Sequence, residues 1–196
     1  MLHFVRTMNP TNETKVLDVG GDFSTWQLAD SISCPVTLLN IYDINSNATT
    51  SQSPRFQTVV GDGCDLSFKD RSFDLVFSNS VIEHVGTWEN QKKFATEALR
   101  VGKSIWIQTP ARGFFMEPHL ITPFIHYLPR AMQKRLLRNF TVWGWFVRPS
   151  ADEVEGFLDE VRLLTFRELE ILFPQCTITK EKFLFVFTKS YTVYRK

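Results

Sequence analysis

Two groups of acidic and basic side chains in the middle of the sequence could carry out proton transfer. Glu83 and His84 form the first group, and Arg112, Glu117 and His119 form the second. Histidine exchanges a proton near neutral pH, so His84 is a candidate general base, and Glu83 could orient it or share the proton. The alternatives are structural: a histidine that caps the local backbone and a glutamate that is simply solvated.

The same side chains could also be considered as metal ligands. A metal site needs three or four convergent ligands, and His84, Glu117, His119 and His126 lack any recognisable ligand spacing. The three cysteines lie far apart and form no CxxC pair. The sequence therefore predicts neither a metal centre nor a disulfide framework.

A glycine turn follows the first apolar segment, VLDV, at Asp18, Gly20 and Gly21. Glycine lets the backbone approach a ligand closely, although a tight turn needs glycine whether or not a ligand binds. The two glycines are adjacent, so the G-x-G-x-x-G fingerprint of nicotinamide dehydrogenases is missing. The turn alone therefore predicts a nucleotide-like ligand only weakly, and the segments that follow have to decide.

The segment from Gly61 to Val85, GDGCDLSFKDRSFDLVFSNSVIEHV, resembles the central block of class I S-adenosylmethionine-dependent methyltransferases. This broad small-molecule group includes quinone-biosynthesis methyltransferases. LDVGG at 17–21 and ALRVGKSIWIQTP at 98–110 extend the resemblance to about half of the chain. It implies S-adenosylmethionine as cofactor and a small-molecule, lipid or glycan-type methyl acceptor. The alternative is a non-catalytic binding or scaffold protein that keeps the fold without binding the cofactor.

The resemblance also implies roles for the glycine turn. Gly20 and Gly21 would wrap the methionine part of the cofactor, and Asp18 would organise the loop around its charged end. The family pattern DxGxGxG is altered here to DVGGDFS, which leaves cofactor affinity open. Asn79, at the end of the fourth predicted strand, is a further predicted cofactor contact.

The adenosine part would be held by residues after the second and third strands. Asp62 corresponds to the family's acid that accepts a hydrogen bond from the adenine amino group, with Gly63 and Cys64 lining the ring. The acid that usually holds the ribose falls on Asn40 by position. Asp43, three residues later, is the charged alternative, and the sequence leaves both open.

The elements that must position these residues alternate between apolar runs and helical or loop segments. This alternation predicts an α/β fold: a doubly wound, mostly parallel, seven-stranded sheet of the Rossmann-like methyltransferase type. Thr87 is predicted to cap a helix that runs through Arg100, and Thr165 with Glu168 forms a capping-box pattern. The polar segment 45–54 is predicted to be a loop, and 176–195 two closing strands. The five strands that precede the closing pair are predicted at 16–19, 36–42, 56–60, 74–78 and 104–109.

An aromatic and basic segment, 110–151, is predicted to be an insertion or lid within a single domain spanning 1–196. It begins beyond the fifth strand, where parallel sheets bind ligands, so Arg112, Glu117 and His119 are predicted substrate contacts. Residues 118–151 contain no acid. Residues 120–147 could therefore pack as a core, cover an apolar substrate or contact an anionic membrane.

The composition limits the remaining function classes. Of the 196 residues, 43% are hydrophobic and 22% charged, which is typical of a globular domain. A net charge of +1 provides no field for binding nucleic acid. The amino terminus has no apolar signal-like run, so the predicted location is the cytoplasm, with peripheral membrane contact left open.

Overall fold

The computed structural model describes residues 1–27, 33–44 and 54–196. Its centre is a seven-stranded sheet with the strand order β3-β2-β1-β4-β5-β9-β8. The first five strands run parallel to one another, whereas β9 runs antiparallel to both of its neighbours, β5 and β8. The seven strands are β1 Val16–Val19, β2 Val36–Asn40, β3 Phe56–Val60, β4 Phe73–Asn79, β5 Gly102–Pro110, β8 Thr177–Phe183 and β9 Phe187–Arg195. The predicted fold class, Rossmann-like with a mostly parallel sheet, is confirmed.

Helices cover both faces of this sheet, and a short ribbon lies above it. The described helices are α1 Leu2–Met8, α2 Phe23–Gln27, α3 Trp88–Val101, α4 Arg130–Phe140, α5 Val142–Val147, α6 Ala151–Glu160 and α7 Phe166–Leu172. The ribbon pairs β6 Met116–Glu117 with β7 Thr122–Pro123. Residues 82–84 and 125–127 form short 3₁₀ helices. The predicted loop at 45–54 lies almost wholly outside the described residues.

Local sequence signals set the ends of these elements. The Thr87 side chain accepts a hydrogen bond from the Asn90 backbone at the start of α3, and Gly102 ends that helix. Thr165 and Glu168 form the predicted capping box of α7. The second strand is shorter than its predicted range of 36–42 because the chain turns after Asn40, which leaves Ile41 74% exposed.

The segment after β5 packs against α6. Leu120, Ile125 and Leu137 form a small core together with Val154 of α6. Two ion pairs also join α4 to α6, one of them between Arg130 and Asp159. The acids that neutralise the basic helix α4 therefore lie in α6, beyond residue 151.

Candidate active site

A cleft with a volume of about 270 Å³ opens at the carboxyl ends of the parallel strands β1, β2 and β3. Gly20, Asn40 and Asp62 line it from these three strand ends, and His84 and Glu160 close the opposite side. Parallel α/β sheets bind ligands at this position, where loops from neighbouring strands diverge. The cleft is therefore a candidate cofactor site, and the sequence-predicted residues Gly20, Asn40, Asp62, Gly63 and His84 meet in it.

The floor of the cleft needs glycine at two points. Gly20 has a φ of 74°, and a Cβ on it would lie 2.5 Å from a methyl carbon of Val81. A Cβ on Gly63 would lie 2.8 Å from Val19 and 3.0 Å from Phe94. Side chains at either position would fill or distort the cleft, so these glycines keep room for a ligand.

Asp18 lies beneath the glycine turn and does not line the cleft. Its Oδ2 accepts a 2.6 Å hydrogen bond from Nε1 of Trp26, and its buried Oδ1 has no hydrogen-bond partner. Burial raises the pKa of Asp18 to about 7; the Trp26 hydrogen bond opposes this shift, and the charge of Asp22 adds to it. A Cβ on Gly21 would overlap the Asp18 carboxylate, so Gly21 seals this acid under the turn.

Asn40 and Asp43, the two ribose candidates, lie in different places. Asn40 lines the cleft and donates a 2.9 Å hydrogen bond from Nδ2 to the backbone oxygen of Gly21. Asp43 is exposed and borders a separate depression over β3. The structure thus brings Asn40 and Asp62 into one site and leaves Asp43 outside it.

Two other predicted cofactor contacts also lie away from the cleft. Cys64 lines a shallow groove along α3, where burial raises the pKa of its thiol to about 11. Asn79 is exposed and lines a depression on the other side of the sheet, beside α1. Phe23, which lies close to the glycine turn in the sequence, does not line the cleft either. Its ring packs against Phe56 at 5.4 Å between ring centres.

Four of the five predicted catalytic and substrate residues, all except Arg112, form one cluster beside the cleft. The rings of His84 and His119 meet edge to face at 4.7 Å, and Glu117 lies 2.8 Å from Nδ1 of His119. Glu83 is fully buried, with Oε2 accepting a 2.8 Å hydrogen bond from Thr109 and Oε1 unpartnered. Ligand atoms of Glu83, His84 and His119 all lie within 4.8 Å of one another.

The charge states in this cluster depend on burial and on each other. Burial raises the pKa of Glu83 to about 7, although its hydrogen bonds oppose that shift. Burial and the nearby His119 lower the pKa of His84. Burial also pulls the pKa of His119 down, but the hydrogen bond and charge of Glu117 outweigh it, so the net shift is upward.

A second cavity of about 300 Å³ lies on the far side of the cluster. Arg112, Glu117 and His126 line it from the segment after β5, and Arg162 lines it from the α6–α7 connection. Arg162 forms a hydrogen-bonded ion pair with Glu168. Arg112, in contrast, has no ion-pair partner among the described residues. Arg162 is not among the residues predicted from the sequence, because nothing in its local pattern signals a cavity.

Comparison with known proteins agrees with this geometry. Residues 17–104 match the family model described as a methyltransferase domain. This match, over slightly less than half of the chain, supports a class I S-adenosylmethionine-dependent methyltransferase. This confirms the family resemblance seen in the sequence, and the matched residues contribute most of the cleft.

Individual relatives are distant. A glycine/sarcosine/dimethylglycine N-methyltransferase from Actinopolyspora halophila is 26% identical over 124 residues, which cover 59% of this chain. The chain spans only 22% of the length of that curated relative. The structure of the PH0226 protein from Pyrococcus horikoshii is 18% identical, with a TM-score of 0.61 over 98% of this chain and 85% of that one.

A third similar structure is a phosphoethanolamine N-methyltransferase 2 from Haemonchus contortus, crystallised with phosphomonomethylethanolamine and S-adenosylhomocysteine. It is 16% identical, with a TM-score of 0.58 over 91% of this chain and 38% of that one. At these identities the two structures establish a shared fold. No helix within the described ranges is long and apolar enough to cross a membrane.

Proposed function

We propose that this chain transfers a methyl group from S-adenosylmethionine to a small-molecule, lipid or glycan-type acceptor. The observation that carries the proposal is the position of the Glu83, His84, Glu117 and His119 cluster between two cavities. His84 lines the cleft at the strand ends, and Glu117 lines the cavity beyond. A methyl donor and its acceptor need such an arrangement, with two sites meeting at polar groups.

The cleft residues suit the parts of S-adenosylmethionine in the order in which the strands present them. Asp62 would accept from the adenine amino group, with Gly63 beneath the ring. Asn40 already donates to Gly21, so its amide oxygen would be left to accept from a ribose hydroxyl. Gly20 would give the methionine part close access to the backbone, and the bound cofactor supplies the electrophilic methyl group.

The second cavity favours an acceptor with a negatively charged or hydroxyl-rich group. Arg112 is exposed, lines the cavity and has no ion-pair partner in the described part of the chain. Guanidinium groups bind carboxylates and phosphates through paired hydrogen bonds. We expect Arg112 to hold such a group, with Glu117 and His119 near the attacking atom.

For a hydroxyl acceptor, His84 is the group able to take the proton. Its lowered pKa keeps the imidazole neutral at pH 7, and Nδ1 lies 3.2 Å from Glu160, which leaves Nε2 as the proton acceptor. The O–C bond forms as the S–C bond breaks, and that electron pair remains on sulfur. Glu83 would act behind His84 as a buried, polar neighbour.

Calorimetry with S-adenosylmethionine and the full chain tests the cofactor half of this proposal. Asp62→Ala should weaken binding roughly 10- to 100-fold, since a hydrogen bond to a charged group contributes about 1.5–3 kcal/mol. Asp65→Ala is the matched control, because Asp65 is an exposed acid in the same turn that does not line the cleft. Absence of binding at millimolar cofactor would support the scaffold alternative and overturn the proposal.

The acceptor half needs an activity screen. Release of S-adenosylhomocysteine would be measured over sugars, glycolipids, quinones and phosphorylated alcohols. Arg112→Gln should raise KM for anionic acceptors while leaving cofactor affinity unchanged, because Arg112 lines only the second cavity. Equal KM values for wild type and variant would exclude Arg112 as the anchor.

A further inference from the structure

We propose that Glu83, His84 and His119 form a binding site for a divalent transition-metal ion such as Zn²⁺. One ligand atom from each residue lies within 4.8 Å of the other two, so a central ion requires only small side-chain movements. Two imidazoles and one carboxylate are a donor set that suits zinc and its first-row neighbours. The ion would join the 3₁₀ helix at 82–84, which carries Glu83 and His84, to the loop between β6 and β7, which carries His119.

The hydrogen bonds around the histidines already orient them for metal binding. Nδ1 of His119 is 2.8 Å from Glu117, and Nδ1 of His84 is 3.2 Å from Glu160. In both rings this leaves Nε2 as the nitrogen able to bind an ion. Metal-bound histidines commonly donate their other N–H to a carboxylate, which fixes the tautomer and ring orientation.

Glu117 is itself held in place. It is almost completely buried, and its second oxygen accepts a 2.6 Å hydrogen bond from the backbone nitrogen of Leu120. The carboxylate that orients His119 is therefore fixed by the backbone of its own loop. Such support behind a ligand is what a defined coordination geometry requires.

The carboxylate of Glu83 is the independent observation that points to a ligand. The side chain is fully buried, and its Oε1 makes no hydrogen bond. A buried polar atom without a partner costs free energy, of the order of 1–3 kcal/mol, unless something binds it. A cation held between Glu83 and the two histidines would give this oxygen a partner. It would also offset the negative charge of the neighbouring Glu117 and Glu160.

The chemistry of the donors separates transition metals from magnesium and calcium. Mg²⁺ and Ca²⁺ take oxygen ligands almost exclusively, whereas imidazole nitrogen favours zinc, cobalt, nickel or iron. Three protein ligands would leave at least one coordination position open. That position would face the junction of the cleft lined by His84 and the cavity lined by Glu117.

A role for this ion in methyl transfer rests on the proposed function, whereas its binding does not. A hydroxyl of the acceptor could occupy the open position, where the metal lowers its pKa and the proton leaves to solvent. The resulting metal-bound oxygen donates its electron pair to the methyl carbon while the sulfonium S–C bond breaks. In the metal-bound protein His84 would thus be a ligand rather than the base.

The binding test uses the full chain, stripped with a chelator and without S-adenosylmethionine. Titration with Zn²⁺ should give one ion per chain, and Co²⁺ should give the visible absorption spectrum of a nitrogen and oxygen site. His119→Ala and His84→Ala should weaken binding about 100-fold or more, beyond the roughly 10- to 100-fold expected for Glu117→Gln, which only changes the carboxylate that orients His119. Mg²⁺ should not compete at equal concentration.

His126→Ala is the matched control, because His126 belongs to the same segment but contacts the Arg112 backbone oxygen instead of the cluster. Its Zn²⁺ affinity should equal that of the wild type. Glu83→Gln is the isosteric variant that keeps an acceptor for Thr109, and circular dichroism would establish that each variant is folded. No stoichiometric Zn²⁺ or Co²⁺ binding, or equal losses in His126→Ala and His119→Ala, would overturn the site.

Metal binding and methyl transfer can fail separately. Zn²⁺ binding without any S-adenosylmethionine binding would support the metal site and contradict the proposed function. Cofactor binding in a chain that binds no transition metal would do the reverse. Both results would come from the same chelated preparation, so they can be compared directly.

Discussion

Asp18 should make the stability of the folded chain depend on pH in an unusual direction. Its carboxyl group is fully buried under the glycine turn, and its pKa is raised to about 7 from the ordinary 3.8. Between these two values the folded state keeps a proton that the unfolded state has lost. The free energy of unfolding at this site therefore falls as pH rises from about 4 to about 7, and it levels off above that.

The size of the effect follows from the shift. A difference of about three pKa units corresponds to about 4 kcal/mol over the whole range, and roughly 2 to 3 kcal/mol of it falls between pH 5 and pH 8. Asp18→Asn removes the titrating group but keeps an oxygen that can accept from Trp26. The variant should therefore gain stability relative to wild type by that amount as pH rises from 5 to 8.

Urea unfolding at pH 5 and pH 8 measures the difference in unfolding free energy between the variant and wild type, provided that the m-values of the two proteins agree. Asp43→Asn controls for loss of an acid, because Asp43 is exposed and lies outside the cleft. Trp26 and Asp22 are the neighbours that shift the pKa of Asp18, and both are kept in the variant. If the unfolding free energy of the variant minus that of wild type stays constant or falls as pH rises from 5 to 8, the raised pKa of Asp18 is refuted.

Two further perturbations test the cleft and the insertion. Gly20→Val should weaken S-adenosylmethionine binding at least about 10-fold and lower Tm, because φ is 74° and the new Cβ would lie 2.5 Å from Val81; unchanged calorimetric affinity would show that the cleft tolerates a side chain. In the alternative in which residues 120–147 contact an anionic membrane, the exposed Trp145 and Phe146 should make the chain float with anionic but not neutral vesicles. Replacing both with serine should abolish flotation, and a wild-type chain that stays at the bottom of the gradient would exclude that contact.

Much of the sheet and its helix ends could be predicted from local patterns. Short apolar runs indicated the five parallel strands, and most of these runs are continuous because strands buried on both faces carry little else. Thr87 and the pair Thr165 and Glu168 act within one helical turn, so their roles are readable without knowing the fold. The strand-end rule then placed Gly20 and Asp62 at one edge of the sheet.

The same rule could not say which strand-end side chains enter the cleft. Asn40 does, but Asp43 lies beyond the point where β2 ends, and Asn79 lies on the opposite side of the sheet. Successive residues of a strand point to opposite faces, and the turn after it changes that alternation. A shift of one or two residues therefore moves a side chain from the site to another surface.

The amino-acid sequence by itself determined the fold class, the resemblance to a methyltransferase family and the glycine-lined edge where a cofactor would bind. Those features depend on residue periodicity and on signals within a few residues. The convergence of Glu83, His84 and His119 was decided only by the tertiary structure, as was the pairing of the basic helix α4 with acids of α6. Such contacts join residues far apart in the chain, and their geometry is set by how the segment after β5 packs back over the sheet.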